Sequence, residues 1–243
     1  MRGPFWLEDV AVSVDFDGLR QELRGLDGDL YLTHLFAPAA HRDALMTLYC
    51  AYADIARIPA SVSEPMIGAI RLQWWRDVFD MVQQGQAGDS PIGAALLATQ
   101  MRDTDFLNLI DGRESELDEA AFAAPAARAQ TATTIGHAFM RLSLRLLGVK
   151  DDATLALGAE AGEGFELLRL TAANDGPQAA QAQAVLSSVV GRFNRLPRNK
   201  RKQALPAFLP IGLAAFQARH WPQQKSLLAY QWKILKMALL GRL

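Results

Sequence analysis

Apolar positions recur along this chain at intervals of three and four, and strand-length runs of alternating Val, Ile and Thr are missing. Leu30–Phe36 predicts a short helix stopped at Pro38. The stretch HRDALMTLYCAYADIARI gathers Leu45, Leu48, Tyr49, Tyr52, Ile55 and Ala56 on one side and predicts a helix over 41–58. In SEPMIGAIRLQWWRDVFDMVQQG, Ser63 is placed to cap a helix, Pro65 suits its first turn and Gly85 ends it. Ile67, Ile70, Trp74, Val78 and Met81 form one apolar stripe there, and Trp75, Phe79 and Val82 a second, which predicts a wide buried face. Two helices are expected within 93–122, one over 132–148 with Gly148 as its stop, and one over 155–173. Pro197, Pro206 and Pro210 predict a punctuated connector, after which 223–243 closes the chain as a basic amphipathic helix with Tyr230, Ile234, Met237 and Leu240 on one side. The expectation is an all-α helical bundle, one domain spanning 1–243.

Composition narrows the chemistry. The single cysteine, Cys50, excludes an internal disulfide and a cysteine-rich zinc site, and the four histidines show no paired metal-ligand spacing. No run approaches about 18 consecutive apolar residues. Acids interrupt MRGPFWLEDVAVSVD, which predicts no export signal and a cytoplasmic protein or one at the cytoplasmic membrane surface. The net charge of −1 conceals a split: residues 1–176 hold 14 Lys/Arg against 26 Asp/Glu, whereas 177–243 hold 11 Lys/Arg and no acid. Such a split predicts either docking of the two parts or a surface for an anionic partner, including a peripheral position on the inner membrane. Its densest part contains Arg192, Arg195, Arg198, Lys200, Arg201 and Lys202. Interleaved aromatics are missing from it, which argues against nucleic acid.

The stretches YLTHLFAPAAHRDALMTLYCAYADIARI and SVSEPMIGAIRLQWWRD resemble the squalene/phytoene synthase family, and LIDGRESELD and GEGFELLRLTAA are similar to later parts of it. The resemblance implies the all-α fold of trans-isoprenyl diphosphate synthases. It also implies, for active members, Mg²⁺ held by carboxylate pairs at i, i+4 on two helices, because ionising an allylic diphosphate requires hard cations on its oxygens. This chain departs from that pattern. Ala56 and Ala60 stand where the first pair belongs, and Ala173 where the second begins. Asp54 is two residues from Ala56, about 160° around the helix. Between Ala173 and Arg192 the family's extra helical hairpin is missing, which the resemblance reads as a lost cavity wall. The wording fits best a divergent branch of the family that also lacks the aspartate motifs and includes a mitochondrial complex I assembly factor. That implies a non-catalytic role with a respiratory-complex partner or an isoprenoid lipid, and no cofactor.

Several residues remain as candidates. Tyr49 and Tyr52 line the face of the first motif, which either admits a hydrocarbon chain or closes by packing. Arg71 is expected to be partly buried and paired with Asp54, Asp111, Glu114 or Glu116, with a prenyl diphosphate as the competing partner. Arg76 and Asp80 are expected as an exposed i, i+4 pair. Asp54, Glu163 and Glu166 are the fallback Mg²⁺ ligands if the chain is an active prenyltransferase; otherwise Glu163 and Glu166 are a solvated helix edge.

Overall fold

The computed structural model describes residues 14–171, 176–220 and 227–243, with side chains at 219, 220 and 227–230 left out. The N-terminal stretch read for an export signal, Ala173 and the Tyr230 side chain fall outside that description. Among the described residues the chain is built from helices α1 (Phe16–Leu26), α2 (Gly28–His34), α3 (Ala39–Arg57), α4 (Pro65–Gln83), α5 (Pro91–Ala98), α6 (Asp105–Glu114), α7 (Glu119–Phe122), α8 (Pro125–Leu146), α9 (Asp152–Leu170), α10 (Pro177–Arg195), α11 (Arg198–His220) and α12 (Leu227–Leu240). The all-α expectation holds, and no strand occurs among these elements.

The packing centres on α8 and α9. Gly136 and Gly162 face each other so closely that a Cβ on Gly162 would lie 1.9 Å from the Gly136 carbonyl oxygen. A Cβ on Gly136 would lie 2.2 Å from the Gly162 carbonyl. Only glycine permits this backbone approach. Around it, Ala132, Ile135, Phe139, Met140, Leu157 and Ala161 are buried. Helix α10 packs on the far side of α9 through Ala179, Ala182, Leu186 and Val189, so a single helix stands where the resemblance reads a missing hairpin.

Helix α3 buries the side its periodicity marks, with Leu45, Leu48, Tyr49, Tyr52 and Ile55 all at 1 % exposure or less. Cys50 lies on the same helix, its thiol against the Leu19 carbonyl of α1 at 3.9 Å, and burial pushes the thiol up to about 12.

Helix α4 corrects the prediction. Trp75, Val78, Phe79 and Val82 are buried with Leu72, but Ile67, Ile70 and Trp74 are 41 %, 63 % and 46 % exposed. The first stripe is covered only from Val78 and Met81 onward, whereas the second has neighbours along its length: Phe79 stacks on Phe106 of α6 at 4.7 Å, and the Trp75 indole donates to Asp54 of α3 at 3.1 Å. Glu64, not Ser63, occupies the N-cap, without a side-chain cap bond. The predicted proline connector is also corrected. Pro206 and Pro210 lie inside the continuous helix α11. Each interior proline costs a helix about 3 kcal/mol; here the run from Ala204 to Ala215 is buried throughout and offsets that cost.

Two expectations follow. Gly162→Ala drives a methyl into backbone and lowers unfolding free energy by about 3 kcal/mol or more in urea titrations. Trp75→Ala costs about 3–5 kcal/mol, whereas Trp74→Ala on the uncovered side costs less than about 1 kcal/mol; equal losses would contradict this assignment of faces.

Candidate functional site

Helices α3, α6, α8 and α9 converge on Tyr52. Its ring centroid lies 4.3 Å from Phe139 of α8, which also meets Tyr49 at 5.4 Å and Phe165 of α9 at 6.0 Å. Two guanidinium groups flank the same tyrosine, with Arg113 of α6 at 5.9 Å and Arg169 of α9 at 5.3 Å from the ring centroid.

Arg113 is 3 % exposed. One of its nitrogens donates to Glu166 Oε2 at 2.9 Å and another to Glu116 Oε1 at 2.7 Å. Arg169 lies over Phe165 at 5.6 Å and donates to Asp27 at 3.0 Å. Glu166 is fully buried; its Oε1 and the hydroxyls of Tyr49 and Tyr52 make no hydrogen bond within the protein. Burial raises the Glu166 carboxyl to about 7, and the charge of Arg169 works against the rise. Burial likewise pulls the Arg113 guanidinium below its ordinary value, against the pull of Glu116.

The reading of Glu166 as a solvated edge is therefore wrong. The close α8–α9 contact carries it inside, and Arg113 reaches across from α6 to meet it. Arg113 was not a candidate in the sequence, although a signal for it exists: it continues the apolar stripe Phe106, Leu109 and Ile110, an arginine where the spacing calls for a core residue.

The fallback carboxylates do not meet. Asp54 accepts from Trp75 of α4 and pairs with Arg57 at 2.7 Å. Glu163 faces His137 of α8 at 3.6 Å, and Glu166 faces Arg113. They serve three different helix contacts, and no group of three or more His, Cys, Asp or Glu able to hold a metal occurs among the described residues. With Ala56 and Ala60 at the first motif and an arginine already neutralising Glu166, these residues do not fit a magnesium–diphosphate centre.

Arg71 is exposed and bonds the Ser61 hydroxyl at 3.0 Å. The ion pair expected of it belongs to Arg76, which reaches Asp111 at 2.8 Å and Glu114 at 2.6 Å rather than Asp80. In the basic run, Arg192 pairs with Glu160, Lys200 bonds Asp151 at 2.9 Å, and Arg201 donates to the carbonyls of Leu196 and Gly241 at 2.8 and 3.1 Å. Arg195, Arg198 and Lys202 remain exposed.

Beside Arg169 a cavity of about 310 Å³ opens between α2, α9 and α11, lined by Leu30, Phe165, Leu168 and Pro210 with Asp29 and Gln217 at its polar side. Tyr49 and Tyr52 do not line it.

The all-α bundle agrees with the fold class of the family that the sequence matches. The chain belongs to the squalene/phytoene synthase family, whose model matches residues 23–173. It is 29% identical over 133 residues to "NADH dehydrogenase (ubiquinone) complex I, assembly factor 6" of Bos taurus, a match covering 53% of this chain and 40% of that protein. The proteins of the same name from Homo sapiens and Rattus norvegicus are 27% and 29% identical over the same shares. The chain thus spans less than half the length of these curated relatives. No solved structure gives a significant match.

Removing one member of a buried ion pair strands the other. Arg113→Met is expected to destabilise the protein by about 3–5 kcal/mol, with most of the loss recovered in the Arg113→Met, Glu166→Leu double variant. The folded carboxyl of Glu166 holds its proton above the ordinary 4.5. Its stabilising contribution is therefore fully present below pH 4.5 and lost as pH rises through about 7. Thermal midpoints of Glu166→Gln should be flatter across that window than those of the parent chain.

Proposed function

We propose that this chain is a non-catalytic member of its family that works by binding, in the assembly of a respiratory NADH dehydrogenase. The observation that carries the proposal is the Arg113–Glu166 pair under Tyr52. A buried guanidinium neutralises Glu166, on the helix that leads into the family's second acidic motif, and alanines stand at the first. Ionising an allylic diphosphate needs metal-bridged oxygens, and no carboxylate cluster among the described residues supports that chemistry. The names of the matched relatives support the assembly role and its partner, a respiratory-complex subunit or intermediate.

Deleting the gene should lower assembled NADH:quinone oxidoreductase on native gels, with restoration by the intact gene; normal levels of the complex would remove the assembly reading. Purified protein given Mg²⁺ and an allylic diphosphate should release no diphosphate. Turnover that disappears in Glu163→Ala would establish an active prenyltransferase instead.

An isoprenoid lipid is the second reading, and the cavity beside Arg169 favours it. Its volume of about 310 Å³ lies at the small end of ligand sites, with an apolar wall of Leu30, Phe165 and Leu168 and a charged end.

A further inference from the structure

The closing helix has two apolar faces, and the fold uses one. Ile234 and Met237, 2 % and 1 % exposed, hold α12 to the body, with Met237 against Gly212 of α11. Advancing 100° per residue, Trp232, Leu235, Lys236 and Leu239 share the opposite side, and Leu240, expected beside Ile234 and Met237, is exposed with them. That side is open: Trp232 is 68 % exposed, Leu239 76 % and Leu240 61 %.

Next to this ridge lies the basic corner between α10 and α11. Arg201 donates to the Gly241 carbonyl at 3.1 Å, and Asn194 exchanges two hydrogen bonds with the Leu243 backbone, at 3.1 and 3.2 Å. These bonds join the end of α12 to the turn that carries Arg195, Arg198 and Lys202. Those three residues, with Lys236 and Arg242, have no acidic partner among the described residues; in this basic corner Glu160 and Asp151 pair instead with Arg192 and Lys200. No helix among the described residues is long and apolar enough to cross a membrane.

The geometry points to this combined surface as a docking face for an anionic lipid bilayer. Trp232, Leu235, Leu239 and Leu240 enter the headgroup boundary while Arg195, Arg198, Lys202, Lys236 and Arg242 meet the lipid phosphates. A tryptophan and leucines on one face with cations at the edge is the composition such interfacial helices need. The charge argument selects lipid over a neutral apolar partner: an apolar groove gains nothing from five unpaired cations, whereas each cation at an anionic surface strengthens partitioning about fivefold. The inference does not depend on the assembly role, since it concerns where the chain sits and not what it meets there.

The full chain should sediment with phosphatidylcholine vesicles that contain phosphatidylglycerol, and not with phosphatidylcholine alone. Binding should weaken with salt, since exposed charges are screened within a Debye length. Arg195→Gln, Arg198→Gln and Lys202→Gln should each reduce partitioning about fivefold and lessen the salt dependence. Trp232→Ser with Leu239→Ser should abolish sedimentation while leaving the thermal midpoint in place, because both residues are mostly exposed in the fold. No sedimentation at low salt would overturn the proposal. So would binding indifferent to Trp232 and Leu239, or self-association abolished by their replacement without vesicle binding, which would make the face a contact between two copies.

Discussion

Two glycines at the crossing of α8 and α9 set the dimensions of the molecule. With a side chain at either Gly136 or Gly162 the helices would have to separate, since a Cβ would fall within 2.2 Å of opposing backbone. The near contact brings Phe139 and Phe165 within stacking range and puts Glu166 on the inside of the bundle. Arg113, Tyr52 and Arg169 then fit around a carboxylate whose depth the glycine contact has fixed. Packing density leaves little latitude for compensation, because a core filled to crystal-like density transmits a displacement rather than absorbing it.

A buried arginine–glutamate pair is a costly way to fill a core. Desolvating both ions opposes their attraction, and apolar residues of similar volume are often as stable. Here the pair sits among three buried oxygens without hydrogen bonds, on Tyr49, Tyr52 and Glu166. Polar density of this kind is ordinary in a site that handles charge and unusual in a plain core. The cation that offsets the charge at Glu166 is internal, supplied by Arg113 of α6.

Helix content, the buried side of α3 and the single-helix character of α9 were legible because their apolar spacing has one solution. Helix α4 was not, since Ile67, Ile70 and Trp74 match a core stripe as well as Trp75, Phe79 and Val82 do, and only the positions of α3 and α6 decide between them. The prolines of α11 misled for a related reason: local cost was visible, and burial of the surrounding run was not. At the centre, Tyr52 and Glu166 were marked by position, but their shared partner Arg113 comes from another helix, 53 residues before Glu166. Alanines at the motif positions could be read directly, because an absent carboxylate needs no tertiary information.

Cys50 carries a consequence of a different kind. With its thiol held at about 12, the reactive thiolate is scarce at neutral pH, on the order of one part in 10⁵. The side chain is 2 % exposed, held against the Leu19 carbonyl of α1 and at the edge of a cavity that Asp54, Trp74 and Trp75 also line. Since the sequence has no second cysteine, every modification event reports access to that one position. The chain therefore contains its own chemical reporter for access to the buried face of α3, readable by mass without any engineered label.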